Sequence, residues 1–187
     1  MIKKRCSLSG GFTIVELLIV IVVIGILATI TVVAYNGIQT RAVNSKNVSE
    51  ATQAVKLLES YKAANDTYPP TSAAGVCVGE GFVNYTGDSN GDCWDSKGSY
   101  YLSVDPTFNT ALKTVGTIST EQSKCIPYAA TACFSGPVYA TSTANNQPSP
   151  AGPTVRYWVY GTTCPTGIKV WAGTTSDVSA CALRLSS

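Results

Sequence analysis

The chain has 187 residues, with 13 Lys or Arg, 11 Asp or Glu and no histidine, so His-based triads and His-ligated metal centres are excluded. The formal net charge of +2 is unevenly spread: Lys3, Lys4 and Arg5 crowd the start, while from Ala64 onward six Lys or Arg stand against eight Asp or Glu. That outer part is mildly acidic and has no basic stripe, which argues against nucleic acid as a partner.

The basic triplet is followed by an apolar run, Gly10 to Tyr35, that holds a single formally charged residue, Glu16. At about 1.5 Å rise per residue, the uncharged stretch from Leu17 to Ala34 nearly matches a hydrocarbon core of about 30 Å. The run is therefore a candidate membrane span, and the cations ahead of it place the start of the chain on the cytoplasmic side. A cleaved secretory signal is the ordinary alternative. Its apolar region is usually shorter and ends at a small-residue site, whereas this run ends in Val32-Val33-Ala34-Tyr35-Asn36.

Glu16 needs an explanation, because a carboxylate inside an apolar helix costs about 2.5–3.5 kcal/mol on insertion scales. No Lys, Arg or His within the run can pair with it. A cut between Gly11 and Phe12 would supply a partner, since the new α-amino group would lie four residues before Glu16, one helical turn away. Glu16 would then occupy the first turn of the helix, where the macrodipole favours an anion. The amino terminus of a neighbouring copy could serve equally, and mispaired registers would be costly at low dielectric.

A short basic leader, Gly11, and then Phe12-Thr13-Ile14-Val15-Glu16-Leu17-Leu18-Ile19-Val20-Ile21 closely resembles the processing and assembly motif of type IV pilins and pseudopilins. The resemblance covers roughly residues 3 to 63. It implies that a membrane-embedded prepilin peptidase cuts after Gly11 and methylates the amino group of Phe12, and that Glu16 serves subunit docking. It also implies an inner-membrane assembly platform and cytoplasmic ATPases as partners of the machine.

Beyond Tyr35 the helix is expected to continue, with Val48, Ala51, Val55 and Leu58 at three- and four-residue spacings and Lys46, Glu50, Lys56, Glu59 and Lys62 on other faces. No proline interrupts residues 12 to 68, so one helix of about 50 residues, on the order of 75 Å, is predicted, ended by Asn65-Asp66 and Pro69-Pro70. The segment from Thr71 to Gly98 reads as a loop, followed by a short strand from Tyr100 to Val104 and a helical turn over Thr107 to Lys113. Ala140 to Pro153 reads as a surface loop. The clearest strand is Thr154 to Tyr160, with Val155, Tyr157 and Val159 alternating against Arg156, Trp158 and Tyr160. Ile168 to Ala172 and Ala180 to Leu185 are further strands, giving an antiparallel sheet on the outer half of the helix.

Cys6 lies in the leader, which leaves an even set of six cysteines outside the membrane. Of the possible disulfide connectivities the short-range one, Cys77–Cys93, Cys125–Cys133 and Cys164–Cys181, is favoured. No C-x-x-C pair suggests zinc. Asp88, Asn90 and Asp92 space oxygen ligands like the start of a calcium loop. Cys93, however, stands where an EF-hand needs glycine and Ser99 where it needs glutamate, so an Asx-type turn is the ordinary reading. Three Asn-x-Ser/Thr sequons begin at Asn47, Asn65 and Asn84, as expected by chance in a Ser/Thr-rich chain. The aromatic residues Tyr157, Trp158, Tyr160 and Trp171 form either a sugar- or surface-binding platform or, more commonly for strands, core packing.

The reading is an α+β protein: a leader over residues 1–11, a membrane and polymerisation helix over 12–37, an amphipathic half over 38–66 and a disulfide-bonded, β-rich head over 67–187. It is expected to be a non-enzymatic prepilin without cofactor. In this reading it resides in the inner membrane as a single-pass protein with a cytoplasmic N-terminus, is cut after Gly11, and assembles with its own kind into an extracellular type IV pilus for adhesion, motility or DNA uptake. A pseudopilin or minor pilin of a type II secretion or competence system is the alternative, and a membrane-anchored binding module is the reading from another class.

Overall fold

A computed structural model describes residues 11–71, 73–82, 92–96, 102–120, 125–129, 132–141, 152–172 and 177–186. The chain divides into two compact units, Met1–Gln39 and Thr40–Ser187. Helix α1 spans Ile14–Asn65. In the first unit its side chains are exposed: Leu17, Ile24 and Ile30, for example, keep more than half of their surface. This part is long and apolar enough to cross a membrane. The hydroxyls of Thr29 and Thr31 donate back to the carbonyls of Ile26 and Ala28 at 2.7 and 2.9 Å, so neither brings an unsatisfied donor into the apolar stretch.

In the second unit α1 becomes one-sided. Asn47, Glu50, Ala51, Ala54 and Leu58 are buried at spacings of one to four residues, the pattern of a helix resting on a sheet. The helix stops at Asn65 because Asp66 takes a left-handed conformation, φ 60°, and returns its N–H to the Lys62 carbonyl at 2.7 Å. Asp tolerates this conformation better than most residues, and the bond closes an αL cap.

The remaining elements are β1 (Gly75–Cys77), β2 (Asp92–Ser96), β3 (Leu102–Ser103), α2 (Pro106–Lys113), β4 (Ile126–Ala129), β5 (Ala132–Phe134), β6 (Val138–Ala140), β7 (Thr154–Tyr160), β8 (Ile168–Ala172) and β9 (Val178–Arg184). They form two antiparallel sheets, one of order β1-β6-β7-β9-β8 and one of order β3-β2-β5-β4. The fold is therefore α+β, a long N-terminal helix with antiparallel sheet. Two expected loops differ from the structure. The segment from Thr71 to Gly98 contains β1 and β2, and Ala140 belongs to β6. The third expected strand begins at Val178, two residues before Ala180.

The five-stranded sheet is covered on both faces, which explains why β7 is buried from Thr154 to Val159. Val155, Tyr157 and Val159 pack with Ala51, Ala54 and Leu58 of α1 and with Phe108 and Leu112 of α2. On the other face Val138, Trp158, Ala180 and Ala182 meet Leu102, Ile126 and Phe134 of the four-stranded sheet, with the Phe134 and Trp158 rings stacked 4.0 Å apart. Each such large apolar side chain contributes about 1.5–3 kcal/mol by burial. Tyr157 and Trp158 are thus core residues, which removes them from any sugar-binding platform. The side chain of Trp171 lies outside the described residues.

Helix α2 is seated by Asp105, whose carboxylate accepts from the N–H groups of Thr107 and Phe108 at 2.9 and 3.1 Å, with Pro106 just inside the helix. Its fully buried Asn109 accepts from the Gly79 N–H at 3.1 Å and donates to the Gly79 carbonyl at 2.9 Å. The chain leaving β1 is held there without an orphaned backbone group.

Candidate processing and assembly site

The N-terminal end of α1 is organised around Thr13 and Glu16. Thr13 precedes the first helical residue, and its N–H and hydroxyl both donate to Oε2 of Glu16, at 2.8 and 2.7 Å. The Glu16 N–H returns a weaker bond to the Thr13 hydroxyl at 3.3 Å. This is a capping box: two backbone donors left over at a helix start are satisfied reciprocally by the side chains of residues three apart. Its signal in the sequence is Thr13-x-x-Glu16 ahead of an apolar run.

Gly11 and Phe12 lie outside the helix, and Phe12 is 88% exposed. Among the described residues, its chain neighbours apart, no atom lies within 4 Å of where a Cβ on Gly11 would stand. Phe12 lies two residues before Ile14, the first helical residue. Residues 1–10, with the basic triplet and Cys6, lie outside the described residues.

In the second unit the structure joins Cys77 to Cys93, Cys125 to Cys133 and Cys164 to Cys181, with Cα atoms 5.7, 5.4 and 5.8 Å apart. The first links β1 to β2 and so ties one sheet to the other. The second closes the β4–β5 pair, and the third ties the loop after β7 to β9. Of the calcium candidates, Asp88 and Asn90 lie outside the described residues, and Asp92 is described only as the first residue of β2. Of the sequons, Asn47 is 5% exposed and its amide donates to the Trp158 carbonyl at 2.7 Å, so it is closed to a glycan in the folded head. Asn65 is exposed, and Asn84 lies outside the described residues.

Sequence reasoning missed what holds helix to sheet. Strand β6 pairs with β7 only over Thr154, Val155 and Arg156. Beyond it Asn44 donates to the Tyr160 carbonyl at 2.7 Å and accepts from the Tyr160 N–H at 2.8 Å, while Asn47 takes the Trp158 carbonyl. Two helix amides thus stand in for the missing strand. Polar residues on the apolar face of an amphipathic helix were the available sign.

The prokaryotic N-terminal methylation motif family matches residues 6–32. Among curated proteins, the type II secretion system core protein G of Aeromonas hydrophila is 39% identical over 71 residues, 38% of this chain and 48% of that protein. The core protein G of Escherichia coli K12 is 39% identical over 62 residues, 33% of this chain and 43% of that protein. That of Vibrio cholerae is 34% identical over 68 residues, 36% of this chain and 47% of that protein. The chain therefore spans about half the length, or less, of these relatives. No solved structure matches it. The chain thus carries the prokaryotic N-terminal methylation motif at residues 6–32 and is similar over about a third of its length to these type II secretion proteins.

Proposed function

We propose that this chain is a pilin-type structural subunit and, within that class, a pseudopilin of a secretion assembly rather than the subunit of a surface type IV pilus. It is cut after Gly11 by a prepilin peptidase, methylated at Phe12, held in the inner membrane by the apolar part of α1 and polymerised with its own kind through that helix. It has no catalytic role, and its further partners are the assembly platform and the ATPases of the machine.

The observation that carries this reading is Glu16, the one formally charged residue between Phe12 and Thr40, standing inside the matched methylation motif. The choice of machine is supported by the relatives, which are named as type II secretion components and are similar over about a third of this chain. Burial of one long apolar helix by neighbouring copies is a heterologous contact, the kind that propagates into an open filament.

The test is N-terminal sequencing of the mature protein together with mass spectrometry of sheared surface material. The expected result is a mature chain starting at methylated Phe12 that is scarce in the sheared fraction. A mature chain starting elsewhere overturns the processed-subunit reading, and dominance of the sheared filaments by mass overturns the choice of a pseudopilin.

A further inference from the structure

The second unit is joined to the apolar stretch of α1 without a spacer. Ile38, 64% exposed, closes the run of exposed apolar side chains along the helix, and Val43, five residues on, already packs on the cluster that holds Val138 and Trp158. One residue later Asn44 donates to the Tyr160 carbonyl and accepts from its N–H, so the end of β7 and the loop after it are fixed beside this turn of α1. In that loop Thr162 and Thr163 are exposed, and the Lys169 ammonium donates to the Thr162 carbonyl at 2.5 Å. Arg41 is exposed three residues before Asn44, hence on the same side of α1, and helical side chains lean toward the N-terminal end of their helix. Asp177 is exposed at this end too, where its carbonyl accepts from the Gly161 N–H, and Lys46 is already paired with Glu50 at 3.7 Å.

Lengths decide what this end meets. From Leu17 to Ile38 the helix has 22 residues, about 33 Å at 1.5 Å each, close to a hydrocarbon core of about 30 Å. Glu16 then stands at one boundary and Ile38 at the other. The headgroup layer beyond each boundary is roughly 5–8 Å deep, and Val43 follows Ile38 by about 7.5 Å of helix rise. The first turn of the head has no length with which to clear that layer. No Asp or Glu occurs from Leu17 to Ser49, so α1 itself brings no carboxylate to the phosphates there.

We infer that this end of the head seats on the phospholipid headgroups of the membrane that α1 spans, with Arg41 and Lys169 as its contacts for lipid phosphate and the hydroxyls of Thr162 and Thr163 beside them. Guanidinium and ammonium groups are the side chains best suited to phosphate oxygens. The inference rests on the reading of α1 as a membrane anchor, and it adds a lipid surface as the partner of the head before assembly.

The test inserts the full-length chain into vesicles of phosphatidylcholine and phosphatidylglycerol, with a photoactivatable phenylalanine analogue at Thr163 or, as the reference, at Thr67, exposed just past the far end of α1. Lipid adducts, read as mass shifts of the labelled peptide, should form at position 163 and not at 67. Acylation of Lys169 by a water-soluble amine reagent should be slower in these vesicles than in maltoside micelles by about fivefold, the factor that corresponds to about 1 kcal/mol for a cation at an anionic surface. Lys56, exposed further along α1, is the reference that should not change. Retention of the three disulfides on non-reducing peptide mapping shows that each labelled chain is folded. Equal adduct yields at the two positions, no adduct at 163, or Lys169 acylated equally fast in vesicles and micelles would overturn the inference. If alkaline carbonate strips the chain from the vesicles, the anchor reading has failed. If the chain stays inserted and either expected result is missing, this inference fails alone.

Discussion

The Glu59 carboxylate grips Ser186 with both of its oxygens, Oε1 accepting the backbone N–H and Oε2 the hydroxyl, each at 2.6 Å. Tyr68 and Lys62 complete the cluster, with the Tyr68 hydroxyl 2.8 Å and the Lys62 ammonium 3.0 Å from the Ser186 carbonyl. The end of the chain beyond β9 is thereby fastened to the last turns of α1. Residues 127 positions apart in sequence are joined by this one pair of bonds.

This clamp gives the head an acid-sensitive element. Partial burial raises the Glu59 pKa, but the hydrogen bonds from Ser186 and Tyr68 and the charge of Lys62 more than offset it, and the net shift is downward. A depressed carboxyl contributes stability that is fully present above the ordinary Glu pKa of about 4.3 and is lost as pH falls through the folded-state value. Glu59→Gln is expected to flatten the acid limb of the stability curve below about pH 5, and Glu59→Ala to cost about 1–3 kcal/mol at neutral pH. Urea unfolding of the head at several pH values reads both. An unchanged acid limb in the Gln variant would assign the pH dependence to another carboxylate.

The amides that complete the edge of β7 are expected to be costly to lose. Asn47→Ala removes a buried donor and leaves the Trp158 carbonyl without it, at about 1–3 kcal/mol. Asn47→Asp should be worse, since it replaces the donor by a buried acceptor with a charge. Denaturant midpoints of the three proteins should fall in the order native, Ala, Asp. Stability equal to the native chain in the Ala variant would mean that water serves the carbonyl as well.

Two glycines separate backbone conformation from space. Gly167 has φ +78° and a Cβ there would collide with the Ala182 carbonyl, while Gly152 has φ +93° with nothing within 4 Å. Gly152→Ala should therefore lose only the conformational preference, about 1–2 kcal/mol, and Gly167→Ala clearly more. Thermal unfolding of the paired variants checks the difference, and equal losses would show that β9 yields at Ala182.

Glu16→Val removes a charge whose burial is costly, so membrane insertion and cleavage after Gly11 should be retained or improved while assembly is lost. The capping box would go with it. Glu16→Gln keeps a side chain that can still accept from Thr13 but lacks the charge, and so separates the two roles. Normal assembly in the Gln variant, expressed without a native copy, would remove the charge from the docking step.

What could be read from the sequence follows from how many residues carried each signal. Helix α1 extends over many turns with its apolar positions in register, and β7 has seven residues free of Gly and Pro, so both were legible. The alternation along β7 did not reveal that its second face is also covered, because alternation separates the two faces of a strand without showing what packs on either. Most of that sheet's strands are two to four residues long, and β4 contains Pro127; such segments carry no period of their own. At the N-terminus the residues of the motif could be found from sequence, whereas the bonds of Thr13 emerged from the backbone geometry.

The pairing of Asn44 and Asn47 with β7 uses only main-chain atoms of the strand, the carbonyls of Trp158 and Tyr160 and the N–H of Tyr160. Every residue except proline offers the same groups. Side chains at 158 and 160 are therefore free to be retuned for packing against the second sheet, or replaced as the outer half of the molecule diverges, without disturbing the register in which the helix sits. Heritable change in the strand and in the helix is uncoupled, which suits a chain whose likeness to its relatives extends over only about a third of its length.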